Sequence, residues 1–547
     1  MNRKEFLKLS SIVASGTVLI PKLVFGNIKS GNRSTDYDVV IIGAGLAGLS
    51  AAFQLEQAGV SSILILEAKN MVGGRTVNIP VAGGYVAEGG GQWIGPGQTA
   101  IYNLMSELGI SSFPAYQTGN DVNATTLNAT EQADFDDAVL QLNTMAATVP
   151  LANPWNATNA ATWDNITLGD WMNTNMTTIS GYIELYVSVS AFLSAEPSSI
   201  SLLYFLFYVN SAGSIEALLD DAQQERISGG AQTLSLAIVA NINATISLNS
   251  PVSTLNDFGN EVEVTYSSTT VTAKKVVVAM MPKDAANISF PSGLSITRQN
   301  LQDNWVAANG AKVSIVYSSP FWRTSGFSGT AYGANFSFMV DNSPDDASSG
   351  ILTGFPSDNF MSQPIGNREQ LAKDEIESFF GVAAQSNIDY VETDWSNETT
   401  IGGCVSPIPE GILTSYGSAL RVPEGNIHWA GTETSEIWTG YMDGAIRSGE
   451  RVAQEIAPLV LGITSLEEAP EIKVFPNPFT EYLEVQITRG DWTLKVYTLD
   501  GRLVKETVIR SSGSARINMV DLPIGTYILT FENGQKVISS KIVKGNK

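Results

Sequence analysis

One cysteine and one histidine, Cys404 and His428, stand in a chain of 547 residues. A single thiol excludes an internal disulfide framework and any cysteine-cluster metal site. A single imidazole excludes His-based metal sites, serine-type triads and histidine proton relays. Basic charge is scarce as well: 31 Lys and Arg face 54 Asp and Glu, a formal net charge of −23. Nucleic acid is bound by clustered cations that displace its counterions, and no such cluster occurs here. No segment beyond the N-terminal region has the uninterrupted apolar length to cross a bilayer. Any catalysis by this chain must therefore draw on a cofactor.

What is present is a globular composition, 44% hydrophobic and 16% charged, long enough for two to four domains with sizeable cores. The start, "MNRKEFLKLSSIVASGTVLIPKLVFG", has a basic head and an apolar run from Ile12 to Ile20. That is the pattern of a signal peptide over residues 1–26, too short for a span. The run from Arg3 to Lys8 resembles a twin-arginine signal in which Lys4 replaces the second arginine, so the export route stays open. The product is expected to be periplasmic, at the cell surface or secreted.

After a polar spacer comes "DYDVVIIGAGLAGLSAAFQLEQAGVSSILILEA". Val39 to Ile42 read as a strand, Gly43 to Gly48 as a turn, Leu46 to Ala58 as a helix and Ile63 to Leu66 as a second strand. Gly43 permits the tight turn, Gly45 lets backbone amides approach a pyrophosphate, and Gly48 lets helix and strand pack closely. Glu67, 19 residues after the last glycine, can accept from ribose hydroxyls. This predicts a dinucleotide site. The stretch from Trp171 to Leu219 reads as helical, and the segment from Asn249 to Met280 as a strand meander. A final helix is expected from about Asp443 to Ala457. Beyond "LEEAPE" short alternating segments separated by Gly, Asp-Gly and Pro predict a small β-sandwich without a catalytic cluster.

Further motifs follow the glycines in a fixed order. They are "GGRT" (Gly73 to Thr76), "GGQWIGPGQ" (Gly90 to Gln98), "AKVSIVYSSPFWR" (Ala311 to Arg323), "DWSNETTIGGC" with Trp395 nine residues before Cys404, and "HWAGTETSEIWTGYMDGAIRSGERVA". Together, from about Asp36 to Ile456, they resemble the flavin-containing amine oxidase family. The "FPNPF" start and "KIVK" end of the last part resemble the sorting domain of the type IX secretion system. The fold class implied is α/β: a Rossmann-like FAD-binding domain with a mixed α+β substrate domain, plus the C-terminal β-sandwich. The expected boundaries are 36–112, 225–300 and 395–458 for the FAD domain. Those of the substrate domain are 113–224 (mainly helical) and 301–394, and 470–547 is the sorting domain.

The resemblance implies a cofactor, FAD, and assigns residues to it. Gly43, Gly45, Gly48 and Glu67 hold the dinucleotide. Gly74, Arg75 and Lys69 face its phosphates, and Val252 lies beside the adenine. Gln92, Trp93, Trp395, Gly431, Thr432, Glu433, Gly440 and Met442 surround the rest, with the Met442 amide donating to the flavin pyrimidine edge. Cys404 sits where monoamine oxidases attach the flavin through a thioether. Lys312 resembles the lysine that holds a water against flavin N5. Tyr441 resembles one of two tyrosines that sandwich the amine, while Val405 occupies the position of the second, so the aromatic cage is half built. Gln224 resembles a polar residue of the substrate pocket, and His428 is expected to be a packing residue.

The implied reaction is oxidative deamination of a primary amine to aldehyde, ammonia and hydrogen peroxide, by hydride transfer to flavin N5 with dioxygen as acceptor. The alternatives are oxidation of di- or polyamines, or a dehydrogenase passing electrons to a periplasmic carrier. A non-enzymatic flavin-binding role is a further alternative. The secretion machinery is the expected protein partner, and the oligomeric state is open.

Overall fold

Val39 to Ile42 are at most 3% exposed. The sequence there is an unbroken apolar run because both faces of the strand are covered, as in parallel sheets flanked by helices. The computed structural model describes residues 37–461 and, after them, 472–487, 491–498, 502–509, 513–532 and 537–545. The expected signal peptide, 1–26, lies outside these residues. The chain parts into two units at Leu461/Gly462.

In the first unit, a seven-stranded sheet runs in the order Val252–Asp257, Val262–Tyr266, Thr269–Ala279, Tyr37–Ile42, Ile63–Leu66, Thr245–Ser247. Ile427–Ala430 joins it beside Thr269–Ala279. Tyr37–Ile42 pairs in parallel with Thr269–Ala279 and Ile63–Leu66. Three separate stretches of chain thus meet in one sheet. Two helices, Leu46–Gln57 and Met442–Val460, pack against each other over it. Their approach is close because of Gly449, where an added Cβ would lie 2.4 Å from the Ala47 carbonyl oxygen. Strand and helix are as tightly joined: a Cβ on Gly48 would lie 2.0 Å from the Gly43 oxygen.

The second sheet is six-stranded, in the order Asp389–Asp394, Ala311–Tyr317, Gly350–Pro356, Phe336–Asp341, Phe327–Ala331, Asn120–Val122. The edge strand Asn120–Val122 comes from the stretch expected to be helical. The strand Ser112–Pro114 enters it too, and most of the remainder is helical, including Ile179–Leu193 and Leu202–Ala212. Every residue from Leu202 to Val209 is buried, which explains why "LLYFLFYV" shows no polar face. Among the described residues no single helix is long and apolar enough to cross a membrane.

The second unit has two sheets over one core. One holds Ile472–Phe475, Tyr482–Ile487 and Gly513–Asn518; the other holds Leu503–Ile509, Trp492–Thr498, Gly525–Glu532 and Val537–Lys544. Leu494, Val496, Leu529 and Phe531 alternate inward to meet Leu483 and Val485, the sandwich that the alternation predicted.

Candidate active site

A cavity of about 710 Å³ opens in the first unit between the two sheets and the helices, at the large end of ligand sites, roughly 300–1,000 Å³. One end is built from the glycine-rich turn. Gly43 leaves the strand at φ 101°, where a side chain would be strained, and its Cβ would lie 2.8 Å from the Ala279 oxygen. Gly45 is the N-cap of Leu46–Gln57 and offers no side-chain cap, so amides of the first turn stay available to an anion. Gly74, at φ 59°, comes so near that its Cβ would be 3.1 Å from the Gly45 Cα. Glu67 lines the same end and accepts from the amides of Ala44 (2.7 Å) and Lys69 (2.8 Å). Burial raises its pKa, against those two bonds. Val252 lines this end as well. A backbone cradle at a helix start, free of side chains and closed by a carboxylate, fits the adenosine diphosphate half of a dinucleotide.

Two expected phosphate contacts are placed differently. Lys69 does not line the cavity. Its ammonium pairs with Glu398 and stands 5.8 Å from the Trp395 ring. The long, flexible lysine side chain reaches an acidic neighbour brought in by the far segment, which the sequence could not locate. Arg75 does line the cavity, but its guanidinium is taken by Glu433 (2.7 and 3.2 Å) and by the Cys404 carbonyl (3.1 Å). Glu433, 4% exposed, requires that partner. Because the Lys69–Glu398 clasp ties the Trp395 loop to the glycine motif, Lys69→Met should speed release of unattached FAD roughly fivefold, the effect of about 1 kcal/mol. A dissociation time course in a Cys404→Ser background would measure it.

The opposite end centres on Lys312. Its strand, Ala311–Tyr317, is buried almost throughout, and Lys312 itself is 9% exposed. The Nζ atom donates to the Gly90 carbonyl at 2.5 Å and to Gln92 Oε1, and lies 5.1 Å from the Trp93 ring and 5.3 Å from that of Phe355. Burial lowers its pKa to about 7. A neutral amine with both hydrogens committed to these acceptors keeps its lone pair for the cavity.

Cys404 is held at four backbone points around it. Gly402 N donates to Asp284 at 2.8 Å, Cys404 N to Ala308 O at 2.9 Å, and Ala308 N to Val405 O at 2.8 Å, while the Cys404 carbonyl accepts from Arg75. Its Sγ lies 3.4 Å from Ala308 O and 3.7 Å from Ser194 Oγ. Burial raises the pKa of the Cys404 thiol above its ordinary value. Burial also lifts the Asp284 carboxyl to about 6. Trp395 is fixed beside the loop by a 3.0 Å bond to the Gly89 carbonyl.

Tyr441 and Met442 line the cavity where the last helix begins, one residue before the predicted start. Tyr441 contacts Trp438 edge-on (centroids 5.0 Å apart) and Tyr208 (6.0 Å), and its carbonyl accepts from Thr432 Oγ1 at 2.7 Å. Gly431 and Gly440, also on the cavity wall, adopt φ 120° and 86°. Val405 is on the wall too.

Gln224 is not: it is exposed and its Nε2 donates to Asp221, while its neighbour Gln223 lines the cavity. The Gln223 Oε1 atom is buried without a protein partner, and its Nε2 donates to Leu218 O at 3.0 Å. The repeated "QQ" made the choice a matter of one residue of register. His428 is 3% exposed, faces Glu455 at 3.0 Å, and does not line the cavity. Phe192, Phe355 and Asp284 line it without having been signalled by any motif. They sit in an apolar helix, a strand and the short helix Pro282–Ala285, whose placement only the fold reveals.

The profile described as flavin containing amine oxidoreductase matches residues 46–457, three quarters of the chain. This chain belongs to that family. Its cofactor is FAD, and it is an enzyme of the amine-oxidase type. The profile of a secretion system C-terminal sorting domain matches residues 473–545, which marks the amine oxidase for export to the cell surface or beyond. AofH of Mycobacterium tuberculosis, whose name places it among flavin-containing monoamine oxidases, is 37% identical over 442 residues, covering 77% of this chain and 97% of AofH. The L-amino acid dehydrogenase of Synechocystis is 31% identical over 457 residues, 78% of this chain and 96% of its own. Cyclohexylamine oxidase from Brevibacterium oxydans superposes with a TM-score of 0.73 at 31% identity, covering 78% of this chain and all of its own.

Proposed function

We propose that this amine oxidase converts a primary amine to an aldehyde. One equivalent each of water and dioxygen is consumed, and one each of ammonia and hydrogen peroxide is released. FAD, held by the glycine cradle and Glu67, supplies the acceptor for the hydride that leaves the amine's α-carbon, and water hydrolyses the resulting imine. The chain's own contribution is orientation and exclusion of water. Tyr441 offers a ring face to the amine, and Lys312 presents its lone pair at the same end. Neither role needs a histidine acid–base pair.

The observation that carries this reading is the state of the charged groups on the wall. Arg75 is paired with Glu433, Glu67 is bonded to two amides, and Asp284 to the Gly402 amide. Trp93 and Phe355 flank Lys312, Phe192, Ala222 and Val405 add apolar surface to the cavity wall, and Gln223 adds an uncharged amide. The lysine on the wall besides Lys312, Lys283, lies beside Gly402. Among the described residues that line the cavity, Arg75 is the one arginine, and Glu67 and Asp284 are the carboxylates, all three already bonded. That favours an uncharged hydrocarbon tail over an amino acid or a diamine.

The test is product analysis under air with phenethylamine, putrescine and L-leucine. Aldehyde and peroxide in a 1:1 ratio from phenethylamine, and little from the other two, is expected. Turnover that reduces an added dye but yields no peroxide would make the enzyme a dehydrogenase. A preference for L-leucine or putrescine would overturn the substrate assignment. We further propose that Cys404 binds the flavin covalently through a thioether, one hydrogen lost from the thiol and one from the flavin methyl group being taken up by dioxygen as hydrogen peroxide.

A further inference from the structure

Resting on the amine reading above, we infer that Phe192 sets substrate preference, packing the hydrocarbon tail while Tyr441 holds the amine end. Phe192 lies in the last turn of the helix Ile179–Leu193, which ends at Ser194 with φ 47°. Ser194 Oγ meets Cys404 Sγ at 3.7 Å, so this helix end abuts the cysteine loop that also carries Val405. From there one aromatic wall runs without a break. Phe192 stacks on Tyr208 with centroids 6.4 Å apart and planes 13° from parallel. Tyr208 packs on Tyr441 at 6.0 Å, and Tyr441 on Trp438 at 5.0 Å.

Of these four rings, Phe192 and Tyr441 line the cavity, whereas Tyr208 and Trp438 are 2% exposed and stand behind them. The backing rings fix the two front rings in place, which is what a recognition surface needs. Val405 adds only a branched aliphatic wall, so the broad face on this side, other than Tyr441, is that of Phe192. The two front residues come from different elements, a substrate-domain helix and the turn before the last helix. They can therefore divide the work between tail and amine.

The experiment uses the full-length holoenzyme and n-alkylamines from propyl to hexyl, together with phenethylamine, followed by peroxide release. The wild type should show KM falling as the tail lengthens. Phe192→Ala should flatten that trend and raise KM for phenethylamine about tenfold, with kcat within a factor of about three. Phe192→Leu should fall between, and Phe192→Tyr should keep the wild-type trend. The flavin absorbance of each purified variant checks that the fold and cofactor are intact. A chain-length trend unchanged in Phe192→Ala, or a loss confined to kcat, would overturn the inference. A wild type that oxidises none of these amines would overturn the amine reading itself, and the inference with it.

Discussion

Replacing Cys404 by serine should turn a protein that stays yellow through acid denaturation into one whose colour passes entirely into the filtrate. The prediction follows from how firmly the thiol is placed. Its own amide and carbonyl, the Gly402 amide and the Val405 carbonyl are all bonded, to elements that are distant in sequence. The site also leaves the thiol no room to retreat: a Cβ on Gly310 would come within 2.7 Å of Sγ. Burial holds Cys404 in its protonated form more strongly than in water, so attachment should be slow and speed up with rising pH, as the thiolate is the nucleophile. Gly310→Ala should mimic the serine variant in part by displacing Sγ. Retention of colour in Cys404→Ser would remove Cys404 from the attachment chemistry. Release from the wild type would leave it a packed side chain.

Lys312→Met should lower the rate of amine-dependent flavin reduction by about two orders of magnitude, within the range for a positioned proton-transfer group, while leaving FAD bound. The wild-type rate should rise through about pH 7, where Lys312 loses its proton. Below that pH the ammonium keeps all three N–H bonds and has no lone pair for the cavity. Above it, two hydrogens remain on Gly90 O and Gln92 and the lone pair is free. The sign follows from burial, which disfavours the charged form. In Lys312→Met this inflection should disappear. Stopped-flow reduction between pH 5.5 and 9 measures both effects, and an inflection that persists in the variant would assign it to another group.

Much of this site could be read before the fold was known, and the reasons differ by residue. The glycines were legible because backbone geometry leaves no substitute: Gly43 needs its positive φ, and Gly48 its missing Cβ. Lys312 was legible from Val313, Ile315 and Val316, whose apolar run marked a buried strand, and all three are fully buried. What stayed hidden was pairing across long separations. Lys69 and Glu398 lie 329 residues apart, and Arg75 and Glu433 358 apart; no local pattern announces that one charge is claimed by another. Phe192 was hidden for a different reason. In a helix that is apolar around much of its circumference, nothing in the sequence separates a residue facing a core from one facing a cavity.

The measurement that tests the account most directly is anaerobic titration of the purified protein with phenethylamine, followed in the visible spectrum. Bleaching of the oxidised flavin by the amine, and return of the colour with release of one peroxide on admitting air, is the predicted result. A spectrum indifferent to every amine offered would contradict it and leave the flavin a structural group in an exported binding protein.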